Sequence, residues 1–170
     1  MSDAQIRELI GRSNRLGADP RNTNYAGGNT SAKGTATDPV TGGDVELMWV
    51  KGSGGDLGTL TADGLAVLRL DRLRALAGVY PGVEREDEMV AAFDYCLWGL
   101  GGAAPSIDTA MHGLVDAAHV DLLHPDAGIA LAAARLPART GHRPGQARAP
   151  RGDRGHPGRS RHHRLGRHQR

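Results

Sequence analysis

The sequence has one cysteine, Cys96, in 170 residues. That excludes an intrachain disulfide framework and any metal site built from several thiolates. Aromatic residues are scarce, six in all, and none follows Trp98. No stretch approaches the roughly 20 apolar residues that span a bilayer, and the amino terminus lacks an apolar signal-peptide core. A soluble, cytoplasmic chain without a membrane partner is the expectation. Basic residues are outnumbered in the first 134 positions, where 10 Lys and Arg face 18 Asp and Glu, a net charge of −8. This acidity excludes a basic nucleic-acid-binding domain there.

Residues 135–170 differ in kind. They hold 11 Arg and one Asp, a net charge of +10, and no Val, Ile, Met, Phe, Tyr or Trp. Such a segment buries too little apolar area to offset chain entropy of about 1–2 kcal/mol per residue. A disordered basic tail at 135–170 is expected, after a folded unit over 1–134. The break falls inside a helical pattern, at Ala134 and Arg135, whereas a domain boundary normally falls in a linker. Arg, Gly, Pro and Ala share GC-rich codons, so a shifted reading frame explains the composition. The alternative is a basic arm for nucleic acid or acidic partners, detectable as salt-dependent DNA binding.

Within 1–134 the patterns alternate between helix and strand. Ile6, Leu9, Ile10 and Leu16 share a helical face over 3–16, with Ser2 or Asp3 as N-cap. Residues 17–44, rich in Gly, Asn, Thr and Asp, read as loop with short extended pieces. Val45–Lys51 reads as a strand entering the turn Gly52–Gly55, and Leu65–Leu70 as a second strand. Leu73, Leu76 and Val79 continue at helical spacing. Glu84–Leu97 reads as a helix, with Glu84, Glu86, Asp87 and Glu88 suiting its N-terminal dipole. Cys96 lies in its apolar run, as buried filler rather than a nucleophile. A helix over 108–115, a strand over 118–123 and a helix beginning at Ile129 complete a layered α/β domain.

Three features carry chemistry. The segments Ala26–Ser31 and Lys51–Gly55 are glycine-rich, so backbone N–H groups can approach an anion, with Lys51 or Ser53 adding charge or a donor. Neither has P-loop or dinucleotide-fingerprint spacing, and plain turns are the other reading. Asp108 and His112, four apart, would share one helix face. With His124 they make a minimal metal set, against the alternative of a capping Asp108 and two ordinary polar histidines. His119 is an odd number of residues from His124, so a regular strand would point the two oppositely.

The runs Gly27-Gly28-Asn29-Thr30-Ser31, Glu46 to Gly54, Pro105-Ser106-Ile107-Asp108 and His119 to Ala127 occur in an order that resembles the class II aldolase/adducin family. The likeness covers roughly residues 5–134. It is nearest to the aldolase part of bifunctional rhamnulose-1-phosphate aldolase/short-chain dehydrogenase proteins. The resemblance implies a three-layer α/β/α domain around a mixed sheet, here incomplete, normally assembled as a homo-oligomer. It implies a lyase that cleaves a ketose 1-phosphate, such as rhamnulose 1-phosphate, to dihydroxyacetone phosphate and lactaldehyde. A zinc ion on three histidines polarises the carbonyl in that chemistry. Carried over by position, Asn29, Ser53, Gly54 and Ser106 hold the substrate phosphate, and Asp108 is the acid/base where the family usually has glutamate. The family's two strand histidines fall at Leu122 and His124, and its third ligand belongs beyond Ala134. His124 is then the surviving metal ligand, zinc is held weakly or not at all, and the chain is an inactive fragment of an aldolase. The alternative is a non-catalytic, adducin-like interaction module using its basic arm.

Overall fold

The computed structural model describes residues 1–23, 27–99 and 101–134. The expected disordered tail, its histidines and the basic arm lie outside these residues, as does Ala26.

Helix α1 (Asp3–Gly17) begins with a capping box. Ser2 N–H donates to Gln5 Oε1 at 2.8 Å, and Gln5 N–H donates to Ser2 Oγ at 3.4 Å. Two of the helix's otherwise unpaired N–H groups are thereby satisfied. Four strands follow: β1 (Asn29–Thr37), β2 (Asp44–Lys51), β3 (Leu65–Arg69) and, much later, β4 (His119–Leu122). They form one sheet in the order β3-β2-β1-β4, and every pairing among them is antiparallel. Helices α2 (Leu70–Ala75), α3 (Glu86–Ala92) and α4 (Thr109–Leu114) precede β4, and α5 (Asp126–Ala133) follows it.

Alternation along β2 sorts the core into two layers. Leu47 and Trp49 pack with Leu9 of α1, Ala32, Leu60 and Leu65 on one face. Met48 and Val50 pack on the other face with Leu68, Leu70, Leu73, Phe93 and Cys96. The result is the three-layer α/β/α arrangement, with α1 on one side and α2, α3 and α4 on the other. Burying each large side chain of these clusters stabilises the fold by about 1.5–3 kcal/mol.

Three elements differ from the sequence pattern. The stretch read as loop contains β1, a nine-residue strand between β2 and β4. Its first residues, Asn29, Thr30 and Ser31, are fully buried polar groups, so hydropathy does not mark them. The helix read over Glu84–Leu97 is α-helical only at Glu86–Ala92, between 3₁₀ turns at Val83–Arg85 and Phe93–Cys96. The chain leaves it because Leu97 bridges to Leu68 and Trp98 N–H donates to Val67 O at 2.8 Å, extending the edge of β3. Helix α5 starts at Asp126, three residues before Ile129. Its N-cap is Pro125, whose fixed φ and missing N–H suit a helix start. No helix among the described residues is long and apolar enough to cross a membrane.

Candidate functional site

The antiparallel register brings four chain segments to one end of the sheet. Ser31 pairs with Val50, so the start of β1 lies beside the end of β2. Asn29 pairs with Leu122, so the end of β4 reaches the same place. The loop entering α4 is tied there by Ser53 N–H donating to Ala104 O at 2.9 Å. Between these segments is a cleft of about 370 Å³, lined by Gly27, Gly28, Lys51, Ser53, Gly54, Val90, Pro105, Ser106, Ile107, Asp108 and His124.

Two glycines let the backbone close this end. Gly28 has φ +75°, and a Cβ there would lie 2.8 Å from Leu122 O. A Cβ on Gly52 would lie 2.4 Å from Ala103 Cβ and 2.9 Å from Ala104 O. Gly52 N–H itself donates to Gly64 O at 2.8 Å. The N–H groups of Gly52 and Ser53 are thus committed to the backbone and are not donors to a ligand.

Of the residues expected at the site, Ser53, Gly54, Ser106, Asp108 and His124 line one cleft. Asn29 sits behind it, fully buried. Its Nδ2 donates to Ser106 Oγ at 2.7 Å and to Asp108 Oδ2 at 3.4 Å, while its Oδ1 accepts from Thr30 N–H at 2.8 Å. Asn29 therefore orients the hydroxyl and the carboxylate that face the cleft. Replacing Asn29 by Ala leaves Thr30 N–H and Ser106 Oγ without that partner, so a loss of about 1–3 kcal/mol in unfolding free energy is expected. Urea denaturation measures it, and an unchanged midpoint would count against the tie.

Lys51 lines the cleft although the residue is only 2% exposed. Its Nζ donates to Gly52 O at 3.2 Å, and among the described residues it forms no ion pair. Burial pushes the Lys51 ammonium below the usual lysine range, opposed by the Asp108 and Asp56 carboxylates.

His112 does not join this cleft. Its Nδ1 shares a 2.8 Å hydrogen bond with Ser31 Oγ, and its Nε2 is buried without a partner. Burial pushes it down to about 4, with Asp108 and Asp121 opposing. The set Asp108, His112 and His124 is therefore corrected: the helix begins at Thr109, Asp108 only precedes it, and the imidazole turns under the sheet. Asp108 also makes no side-chain cap bond. His119 pairs with Ala32 on the α1 face, where its Nδ1 meets Arg12 Nη1 at 2.8 Å. Arg12 also reaches Asp121 Oδ1 at 3.2 Å and Ser31 O at 2.8 Å. This network fixes β4 against α1 and has no signature in the sequence, because Arg12 falls outside every motif.

A three-histidine zinc site does not fit the residues present. Leu122 pairs with Asn29 and shares its sheet face, the one that feeds the cleft, and offers no lone pair. No group of three His, Cys, Asp or Glu side chains suited to a metal occurs among the described residues.

The profile of the Class II Aldolase and Adducin N-terminal domain matches residues 8–157. The chain belongs to this family. A relative in Bacillus subtilis (strain 168), carrying the name Uncharacterized oxidoreductase YuxG, is 40% identical over 129 residues. That match covers 76% of this chain but 18% of the relative, so the chain spans under a fifth of its length. The fold is similar to the N-terminal class II aldolase domain of a conserved protein from Thermoplasma acidophilum, with a TM-score of 0.69 and 29% identity. That likeness covers 81% of this chain and 62% of the other.

Proposed function

We propose that the cleft of this class II aldolase-family chain binds the phosphate of a small phosphorylated sugar, a ketose 1-phosphate such as rhamnulose 1-phosphate. The observation that carries the reading is the convergence of Lys51, Ser53, Gly54, Ser106 and Asp108 on one cleft. Hydroxyl donors and one ammonium suit a phosphate, and a carboxylate beside them suits proton transfer at the sugar. The longer relative, named an oxidoreductase, accords with a bifunctional aldolase/dehydrogenase parent. The reaction of such an enzyme would be cleavage of a carbon–carbon bond of the sugar phosphate, giving dihydroxyacetone phosphate and lactaldehyde. Leu122 argues against metal-dependent cleavage by this chain, and the phosphate cradle stands without it.

Titrating the chain with inorganic phosphate is expected to shift the amides of residues 27–31 and 52–55 with a millimolar Kd, about 4 kcal/mol of binding. The surrounding acidic body keeps it that weak. Unmoved amides would sink the reading. Gly52→Ala should abolish the shifts, because its Cβ meets Ala103 and Ala104 and drives the entering loop off the end of β2. Overpacking of this kind costs about 1–3 kcal/mol, so the variant should remain folded in a chain of ordinary stability. Circular dichroism checks that before the titration.

A further inference from the structure

We propose that the groove between α2, α3 and α4 is a docking site for a basic amphipathic helix of a partner protein. The proposal does not rest on the cleft or on its phosphate.

The groove is apolar and open. Leu73, Leu76, Tyr80, Met89 and Leu114 line a hollow of about 280 Å³, with Glu86 at its wall. A second hollow of about 300 Å³ shares Leu76 and Met89 with it, so the two adjoin. Beside them Val79 is 72% exposed and Val83 76%, and α3 itself contributes no fully buried residue. Single exposed apolar side chains are ordinary, but adjoining hollows edged by several of them mark an interaction surface.

Charge selects the occupant. Glu84, Glu86 and Asp87, in and beside the first turn of α3, form no ion pair among the described residues. The one cation lining either hollow, Arg85, is tied to Glu88, Nη2 to Oε2 at 2.6 Å. An apolar floor beside uncompensated carboxylates fits apolar anchors flanked by Lys or Arg. A second copy fits poorly, because residues 1–134 carry a net charge of −8 and would meet the same carboxylates with like charge. Side chains of helices and turns, rather than a strand edge, wall the groove. An added strand would find no ladder there, whereas a helix satisfies its own backbone and offers a stripe at i, i+3, i+4 and i+7.

The full chain is titrated into a fluorescent helix-forming peptide of about 18 residues, with leucine on that stripe and lysine elsewhere. Micromolar binding is expected, followed by anisotropy. A scrambled peptide of the same composition, and one with glutamate for lysine, should each bind at least about tenfold more weakly. Neutralising the rim by Glu84→Gln, Glu86→Gln and Asp87→Asn together should weaken binding about tenfold at low salt, and about 1 M salt should remove the difference. Neutralising three exposed acids elsewhere, by Asp3→Asn, Glu8→Gln and Asp63→Asn, changes net charge equally and should weaken it less than about threefold. Tyr80→Ser, a change at a residue 42% exposed, should also weaken binding, with circular dichroism confirming the fold. In the unmodified chain, the peptide should shift the amides of residues 76–92 and 110–114. Equal binding of the scrambled peptide, equal losses from the two triple variants, or unmoved amides in those segments would overturn the proposal. So would a dimer in sedimentation velocity that Tyr80→Ser disperses and the peptide does not, since the groove would then hold a second copy.

Discussion

Lowering the pH from 6.5 to about 4 is expected to cost the native state about 3 kcal/mol through His112 alone. The ring is fully buried between α4 and β1, with its Nε2 unpartnered, so a charge there would be neither solvated nor paired. Its folded pKa is depressed from 6.5 to about 4. In that window the unfolded chain binds the proton and the native state does not, so stability rises with pH. The contribution is fully present above 6.5 and is lost as pH falls toward 4.

Urea unfolding at several pH values measures this in the wild type and in a control that cannot titrate. His112→Phe alone would strand Ser31 Oγ, at about 1–3 kcal/mol, so the control pairs it with Ser31→Ala. Asp38 and Asp71, held below the usual carboxylate range by hydrogen bonds from Val40 N–H and Arg69 respectively, lose their contributions at lower pH in both proteins. They cancel in the difference. The wild type should fall more steeply below pH 6.5, and parallel curves would show that His112 is not the carrier.

His112 also marks where the sequence ceases to be informative. Its spacing from Asp108 places both near one helix, but spacing does not say which way the imidazole turns relative to the sheet. The strands with apolar alternation, β2 and β3, were legible within a residue or two, as was α1 from its apolar stripe and cap. β1 was hidden because its burial is polar: Asn29, Thr30 and Ser31 are satisfied by Ser106, Asp121 and His112, partners 77 to 91 residues away. Only tertiary structure supplies such partners. The cleft residues came from motif order rather than composition, since Ser53, Ser106 and Asp108 are unremarkable residues in separate loops. The charge of Lys51 is legible in the sequence, but its burial without an ion pair among the described residues cannot be read from a strand end.

Adding zinc is expected to produce no chelator-sensitive cleavage of a ketose 1-phosphate, in the wild type or in Leu122→His. Open catalytic zinc sites use three protein ligands. The cleft offers His124 and the Asp108 carboxylate, while Leu122 places an isobutyl group on the sheet face where the family resemblance calls for imidazole. Leu122→His restores one donor and still leaves the ligand that the resemblance assigns beyond Ala134. Metal polarisation of the carbonyl contributes several kcal/mol, so its loss lowers the rate about a thousandfold or more. Cleavage is followed as dihydroxyacetone phosphate release, with one equivalent of zinc, with and without EDTA. Elemental analysis after gel filtration runs in parallel. One retained zinc per chain, or release that EDTA abolishes, would overturn the argument from Leu122.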